Sequence, residues 1–433
     1  MAQFPKQIPE YLPIMGLNTQ KQEPTVMTNN PLEDAVSSQY KKWMYPQPIL
    51  DLPGWLVNNW QWFDPSHAHR IFWPDRDYKP NLDILIAGCG TNQAAVFAYN
   101  NPEAHVVGID VSTPSLEHHK HLRDRYAMKN LELHQLPIEE VHSLKQDFDL
   151  IVSTGVIHHM ANPKIGMNAL ASCLRPEGVA AIMLYARYGR IGVDILQGIF
   201  RELGLQQNDF SVLMVKDAVA NLPKNHPVWS YIALAPDLKF DGGLVDTFLP
   251  SRERSYSVED CLELVNSAGL VFQELFLKNS YYPLESSSRP FLAAVAALPE
   301  QKQWSIMERI NIGNACHFFT ACQSNRLRNT YKIDFASAEA LDYVPSLRYR
   351  CEVLGNQIMR PDWSMTLDPV KLSIILQMDG FRTIREIVFA AGQLGALPQY
   401  SQADLDKLGK SLFQSLWQLD FVTMGLKPHS RCL

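Results

Sequence analysis

Nowhere in these 433 residues do about 18 apolar side chains run together, so no segment has the length of a membrane-crossing helix. The opening residues, MAQFPKQIPEYLP, lack the apolar centre of a secretory signal, and a cytoplasmic setting is expected. Charge of one sign is nowhere concentrated. With a net charge of −6 and no basic stripe, the chain does not offer the electrostatic face of a nucleic-acid binder. Cysteine is sparse: residues 89, 173, 261, 316, 322, 351 and 432 form no C-x-x-C pair. The group Cys316-His317 with Cys322 follows no zinc-ligand spacing, so no metal site is expected and reduced thiols are. Apolar residues make up 46% of the chain, enough to exclude a largely disordered protein.

What is present centres on Leu82 to Ser112. An apolar run ends at Gly88-Cys89-Gly90, an Ala-rich helical stretch follows, and a second apolar run ends at Asp110. In an open parallel sheet this order sets a nucleotide-like ligand against the carboxyl ends of two neighbouring strands. Glycine lets the backbone turn sharply and approach the ligand closely. A carboxylate about 20 residues further on is placed to accept the ribose hydroxyls. A third glycine is missing: the pattern reads Gly88-x-Gly90-x-x-Gln93. Dinucleotide sites favour that glycine for close approach to a pyrophosphate. A turn without it suits S-adenosylmethionine better than NAD, and a nicotinamide-dependent oxidoreductase is the less favoured reading.

Strands are expected at 104–109, 131–135, 148–153 and 179–185, alternating with helices at 92–100, 115–127 and 163–173. Such alternation predicts a doubly wound α/β sheet with the strand ends at 88, 110, 136 and 154 along one edge. The helix at 115–127 is expected to turn His118, His119 and His121 to solvent, because i, i+1 and i+3 share no helix face well enough to hold a metal. Before the sheet, residues 40–63 are dense in rings and proline and read as a lid segment packed on the sheet, from which Tyr40 or Tyr45 reaches the cofactor or substrate. After it, about 190–255 is too long for a plain connection and reads as a helical insertion of functional use. Arg187, Tyr188 and Arg190, just past a strand end, either bind an acidic or polar substrate group or form a solvated turn.

The segments Ile84 to Thr91 (ILIAGCGT), Gly108-Ile109-Asp110, Phe148 to Ser153 (FDLIVS), Val156 to Met160 (VIHHM) and Leu174 to Gly178 (LRPEG) stand in a telling order and spacing. Over about 80–190 the chain resembles the class I S-adenosylmethionine-dependent methyltransferases. The resemblance implies a Rossmann-like, seven-stranded, mostly parallel sheet that binds S-adenosyl-L-methionine and releases S-adenosyl-L-homocysteine. It also implies a site. Ala87, Gly88, Cys89, Gly90 and Asn92 would run along the methionine and ribose. Asp110 with Val111 would meet the ribose hydroxyls, and Leu136, Pro137 and Ile138 would border the adenine. Thr154, Gly155 and Val156 would close the other side. Three positions depart from the family's habit: Ala87 where an acid is common, Asn92 where a glycine is, and Pro137 where an aspartate contacts the adenine amine. His158 and His159 fall on the loop facing the substrate, where one acts as a base or both cap and pack.

The chain is therefore expected to comprise an arm and aromatic lid (1–79), a methyltransferase domain (80–300) and a C-terminal extension (301–433). Within the middle domain, 257–298 should supply the closing helix and antiparallel hairpin, and Gln303 to Thr320 should be helical. The extension carries a small α(+β) unit at about 365–425, whose Asp379 to Val388 resembles the winged-helix-like PqqD modules that bind peptides. Two functions follow: methyl transfer to O, N or C of a small-molecule or natural-product acceptor, or a non-catalytic fold that binds a peptide or protein partner through its C-terminal unit.

Overall fold

A computed structural model describes residues 30–284, 289–394 and 400–426. Seven strands form one sheet: β1 (Asp83–Ala87), β2 (His105–Asp110), β3 (Leu131–Gln135), β4 (Phe148–Thr154), β5 (Leu174–Tyr185), β6 (Leu270–Leu275) and β7 (Cys316–Gln323). Their spatial order is 3-2-1-4-5-7-6. Strands β1 to β5 run parallel, and β7 lies antiparallel between β5 and β6. The sheet is the doubly wound, Rossmann-like methyltransferase fold. Because β1 leads outward to β2 and β3 before the chain returns to β4, the crevice beyond the carboxyl ends of β1 and β4 is the switch point where such sheets take ligands.

Helices α1 (Ala35–Lys42), α2 (Leu52–Asn58) and α3 (Pro65–Phe72) precede the sheet. Helices α4 (Gln93–Asn100), α5 (Thr113–Arg125) and α6 (Pro163–Ser172) are its crossovers. The insertion contains α7 (Ile191–Glu202), α8 (Asp209–Ala220), α9 (Val228–Ile232) and α10 (Asp241–Phe248), and α11 (Val258–Ser267) returns to the sheet. Alternate residues of β1 feed opposite cores, as period-2 geometry requires. Ile84 and Ile86 pack with α3, α4 and α5. Leu85 and Ala87 pack on the face covered by α6, α11 and the C-terminal helices. The insertion has a separate core, in which Val193, Leu196 and Phe200 of α7 meet Val212, Val215, Val228 and Phe248. It is thus a small helical bundle set against the site rather than a long loop.

Three expectations are corrected. The closing hairpin does not end at 298: β6 pairs with β7 (Cys316–Gln323), whose first five residues, through Thr320, were read as the end of a helix. The helix there is only Glu300–Ile310, and Asn311-Ile312-Gly313-Asn314 breaks it before the strand begins. A boundary at 300 therefore cuts through the sheet. Nor is the C-terminal unit separately cored, since Phe413, Leu416 and Trp417 share the core beneath Leu85 and α11. Finally, His119 does not face solvent: it is buried, with Nε2 3.4 Å from the Cys89 carbonyl oxygen. Cys432 and the first 29 residues lie outside the described residues.

Candidate active site

The carboxyl ends of β1, β2 and β4 open into a cavity of about 1530 Å³. Binding sites for one drug-sized ligand usually fall at about 300–1,000 Å³, so this space suits two molecules side by side. Its floor is the loop after β1. The amides of Gly88 and Cys89 both donate to the Ile109 carbonyl at 2.9 Å, which ties the loop to the tip of β2. Gly88 (φ +76°) and Gly90 (φ +54°) adopt left-handed backbone that other residues avoid. At Gly88 a Cβ would come 2.4 Å from Val156 Cγ2, and at Gly90 one would come 2.9 Å from Pro46 Cδ. Both glycines are required by neighbours already in place.

Asp110 closes this floor. Its Oδ2 accepts from the Gly90 amide and its Oδ1 from the Ser112 amide, each at 2.8 Å. Burial pushes its carboxyl up to about 6, against the pull of those backbone donors. Both oxygens retain lone pairs for further donors. Gly88, Cys89, Gly90, Asn92, Asp110, Val111, Leu136, Pro137, Ile138, Thr154, Gly155 and Val156 all line the cavity. Ala87 does not; it is fully buried one residue below, in the core on the α6 side.

Asn92 has a different job from the one expected. Its Oδ1 accepts from the Ile49 amide (2.8 Å) and its Nδ2 donates to the Gln47 carbonyl (2.9 Å). Thr91 Oγ1 donates to the Pro46 carbonyl (2.7 Å), and His118 Nε2 lies 3.0 Å from the Ile49 carbonyl oxygen. The residue in place of a third glycine thus staples segment 46–49 over the glycine loop. Removing a buried partner leaves the Ile49 amide unsatisfied, at about 1–3 kcal/mol. Asn92→Ala is expected to speed amide hydrogen exchange in 45–49 and to weaken S-adenosylhomocysteine binding about tenfold. Unchanged exchange in that segment would refute the stapling role.

The opposite end of the cavity is aromatic and is built jointly by the lid and the insertion. Tyr40 of α1 donates to Asp246 Oδ1 of α10 at 2.6 Å, and Tyr185 at the end of β5 lies 3.4 Å from the other oxygen. Tyr45 donates to Asp237 at 2.7 Å. Burial, reinforced by these carboxylates, pushes all three phenols well above their usual range. His159 lines the same end; its Nδ1 is 2.9 Å from the Arg252 carbonyl oxygen and its buried Nε2 has no partner. His158 does not reach the cavity. It is buried and stacked on Tyr185 (3.9 Å between ring centres), and burial drives its imidazole well below its usual range.

Of the residues past β5, Arg187 is exposed and paired with Asp260 (2.8 Å), and Tyr188 lies off the cavity wall. Arg190 is wholly buried. It pairs with Glu253 at 2.8 Å, donates to Tyr231 and sits 3.6 Å over the Tyr185 ring. The substrate roles expected for these three are replaced by a surface pair and a structural one. The residues not anticipated are Asp237, Asp246, Glu253 and Arg252, all in or beside the insertion. Nothing in the sequence around Asp237 or Asp246 signals that they meet tyrosines of the lid 192 and 206 residues earlier.

A 3-2-1-4-5-7-6 sheet with a glycine floor, a β2 carboxylate and a cavity at its switch point has the form of a nucleotide-type binding fold. Residues 78–226 match the family model described as Methyltransferase domain. Residues 78–226 are thus a methyltransferase domain, and S-adenosylmethionine is its cofactor. An uncharacterised protein of Synechococcus sp. is 27% identical over 294 residues, covering 64% of this chain and 68% of its own length. A malonyl-[acyl-carrier protein] O-methyltransferase of Acetivibrio thermocellus is 32% identical over 112 residues, 26% of this chain and 38% of the enzyme. The structure of PKMT2 from Rickettsia typhi shares the fold at a TM-score of 0.60 and 15% identity, over 84% of this chain and 75% of that one.

Proposed function

We propose that this methyltransferase holds its cofactor between the glycine loop and Leu136–Ile138, with the ribose on Asp110. The methyl group then points to the Tyr40, Tyr45, Tyr185 and His159 end, where a small-molecule or natural-product acceptor presents O, N or C. One observation carries this reading: a single cavity joins the nucleoside floor to the aromatic end. The bound sulfonium supplies an already activated methyl group. What the chain contributes is alignment, worth about 7–11 kcal/mol when reacting atoms are held in line. Segment 46–49 and α1 cover the site and exclude water, and His159 takes a proton where the acceptor arrives protonated. The described residues include no helix long and apolar enough to cross a membrane. The six described cysteines are free thiols, which supports our reading of a cytoplasmic setting.

Calorimetry with S-adenosylhomocysteine tests the cofactor half, and its pH dependence tests the residue. Ribose hydroxyls donate more strongly to the ionised carboxyl, which offers two acceptor oxygens and no hydrogen of its own, and burial pushes this carboxyl up to about 6 in the free protein. Binding that favours the ionised form releases a proton below that pH, and affinity should fall by up to about tenfold per unit as the pH drops below 6. Asp110→Asn should bind weakly with that dependence removed. A pH-independent affinity between 5 and 7.5 for the unaltered chain would place the ribose elsewhere. The acceptor half is tested by incubating a cell extract with methyl-labelled donor and the protein, and identifying the labelled product.

A further inference from the structure

The polar atoms at the acceptor end have their hydrogens engaged elsewhere. Tyr40 and Tyr45 donate to Asp246 and Asp237, and the Tyr185 hydroxyl is directed to Asp246. Once an O–H is committed to a carboxylate, the hydroxyl oxygen offers a newcomer only lone pairs. His159 is in the same condition. A carbonyl oxygen can only accept, so the contact from Nδ1 to Arg252 assigns the ring hydrogen to Nδ1 and leaves a lone pair on the unpartnered Nε2.

Several nearby donors are already directed at protein partners, although Arg252 keeps its Nη1 hydrogens and Arg190 its Nε hydrogen. Gln207 gives its amide hydrogens to Gln39 and the Leu249 carbonyl. Arg252 uses Nε on the His159 carbonyl and Nη2 on Asp34. Arg190 is held by Tyr231 and Glu253. We propose that the methyl acceptor is an amine, bound as its ammonium by the lone pairs of Tyr40, Tyr45, Tyr185 and His159, with Asp246 and Asp237 supplying the opposite charge. This rests on the methyl-transfer reading above and names its substrate class.

An ammonium satisfies such a pocket for two reasons. It carries two or three N–H donors and no acceptor, and it brings a cation to carboxylates whose side-chain hydrogen bonds come only from hydroxyls, with Arg190 the cation already acting on Asp246. A carboxylate acceptor would meet lone pairs with lone pairs. Asp246 lies behind the tyrosines and holds their hydroxyls, so it is a positioning residue. Burial raises its carboxyl, and burial with this carboxylate raises the phenols it faces well above their own ordinary range.

The chemistry balances with the groups present. The ammonium gives one proton to His159 Nε2, freeing the nitrogen lone pair. That pair forms the N–C bond to the methyl carbon as the C–S bond breaks, and the sulfonium becomes the neutral thioether. The product is the N-methylated ammonium, and the His159 proton passes to solvent when the site opens.

The test uses the full chain loaded with S-adenosylhomocysteine and three six-carbon probes measured by calorimetry: n-hexylammonium, n-hexyltrimethylammonium and hexanoate. The first should bind at least about tenfold more tightly than the other two, since the second keeps the charge without donors and the third reverses both. Tyr45→Phe should reduce that preference while the loading with S-adenosylhomocysteine is unaffected. Equal or tighter binding of hexanoate or of the quaternary probe overturns the proposal. So does failure of n-hexylammonium to bind a chain that does take S-adenosylhomocysteine. If S-adenosylhomocysteine itself fails to bind, the methyl-transfer reading falls first and this inference with it.

Discussion

Asp110→Ala is expected to raise the dissociation constant for S-adenosylhomocysteine at least about 100-fold without unfolding the chain. Two hydroxyl-to-carboxylate bonds, at about 1.5–3 kcal/mol each, are lost, and about 1.4 kcal/mol corresponds to a factor of ten. The Gly90 amide, now 2.8 Å from Asp110 Oδ2, loses its acceptor as well, so the floor of the site loosens. The free protein should tolerate the change better than its loss of binding suggests. A carboxyl held at about 6 by burial is ionised at a cost to the fold at neutral pH, and alanine removes that cost. Thermal melting at pH 7.5 should therefore show a ligand-free midpoint near that of the unaltered chain, with no upward shift on adding S-adenosylhomocysteine. A variant that still melts higher with the ligand would show that the ribose does not depend on Asp110.

The nucleoside half of this site was legible because its signal is local. A buried parallel strand is a continuous apolar run, so β1, β2 and β4 stand out in Ile84–Ala87, Val106–Ile109 and Leu150–Val152. Their ends then mark Gly88, Asp110 and Thr154 with no knowledge of the rest. The acceptor half has no such signal. The Tyr40–Asp246 contact spans 206 residues and the Tyr45–Asp237 contact 192, and nothing at either end announces its partner. Asn92 shows the same limit from the other direction. Its departure from glycine reads as a weakened cofactor contact until segment 46–49 is seen lying on it. His119 was misplaced because histidine reads as polar, whereas its position three residues after Leu116 and three before Leu122 sets it on the inward face of α5. The first part of strand β7 was absorbed into a helix because CHFFTACQ shows no strict alternation of apolar and polar residues, and periodicity alone does not separate such a run from a buried helix.

Glu253→Ala is expected to destabilise the folded chain by about 3–5 kcal/mol, the range for stripping one partner from a buried ion pair. Arg190 and Glu253 have side chains 0% and 3% exposed, so solvent cannot replace the lost carboxylate. Burial alone would lower the guanidinium's affinity for its proton, yet Glu253 together with the Tyr231 and Tyr185 hydroxyls outweighs it and raises that affinity well above the ordinary range. Left unpaired, that charge keeps only the Tyr231 hydroxyl and the faces of Tyr185 and Tyr231. The pair also fixes where the insertion sits, because Arg190 precedes α7, Tyr231 belongs to α9 and Tyr185 ends β5. Chemical denaturation should show the midpoint falling steeply in Glu253→Ala and much less in the double variant Arg190→Met with Glu253→Leu, since apolar replacement of both partners is often neutral. Affinity for S-adenosylhomocysteine in the double variant should stay within a few-fold, because neither residue lines the cavity. An unchanged midpoint in Glu253→Ala would return Arg190 to the role its sequence position suggests, a cation free to meet substrate.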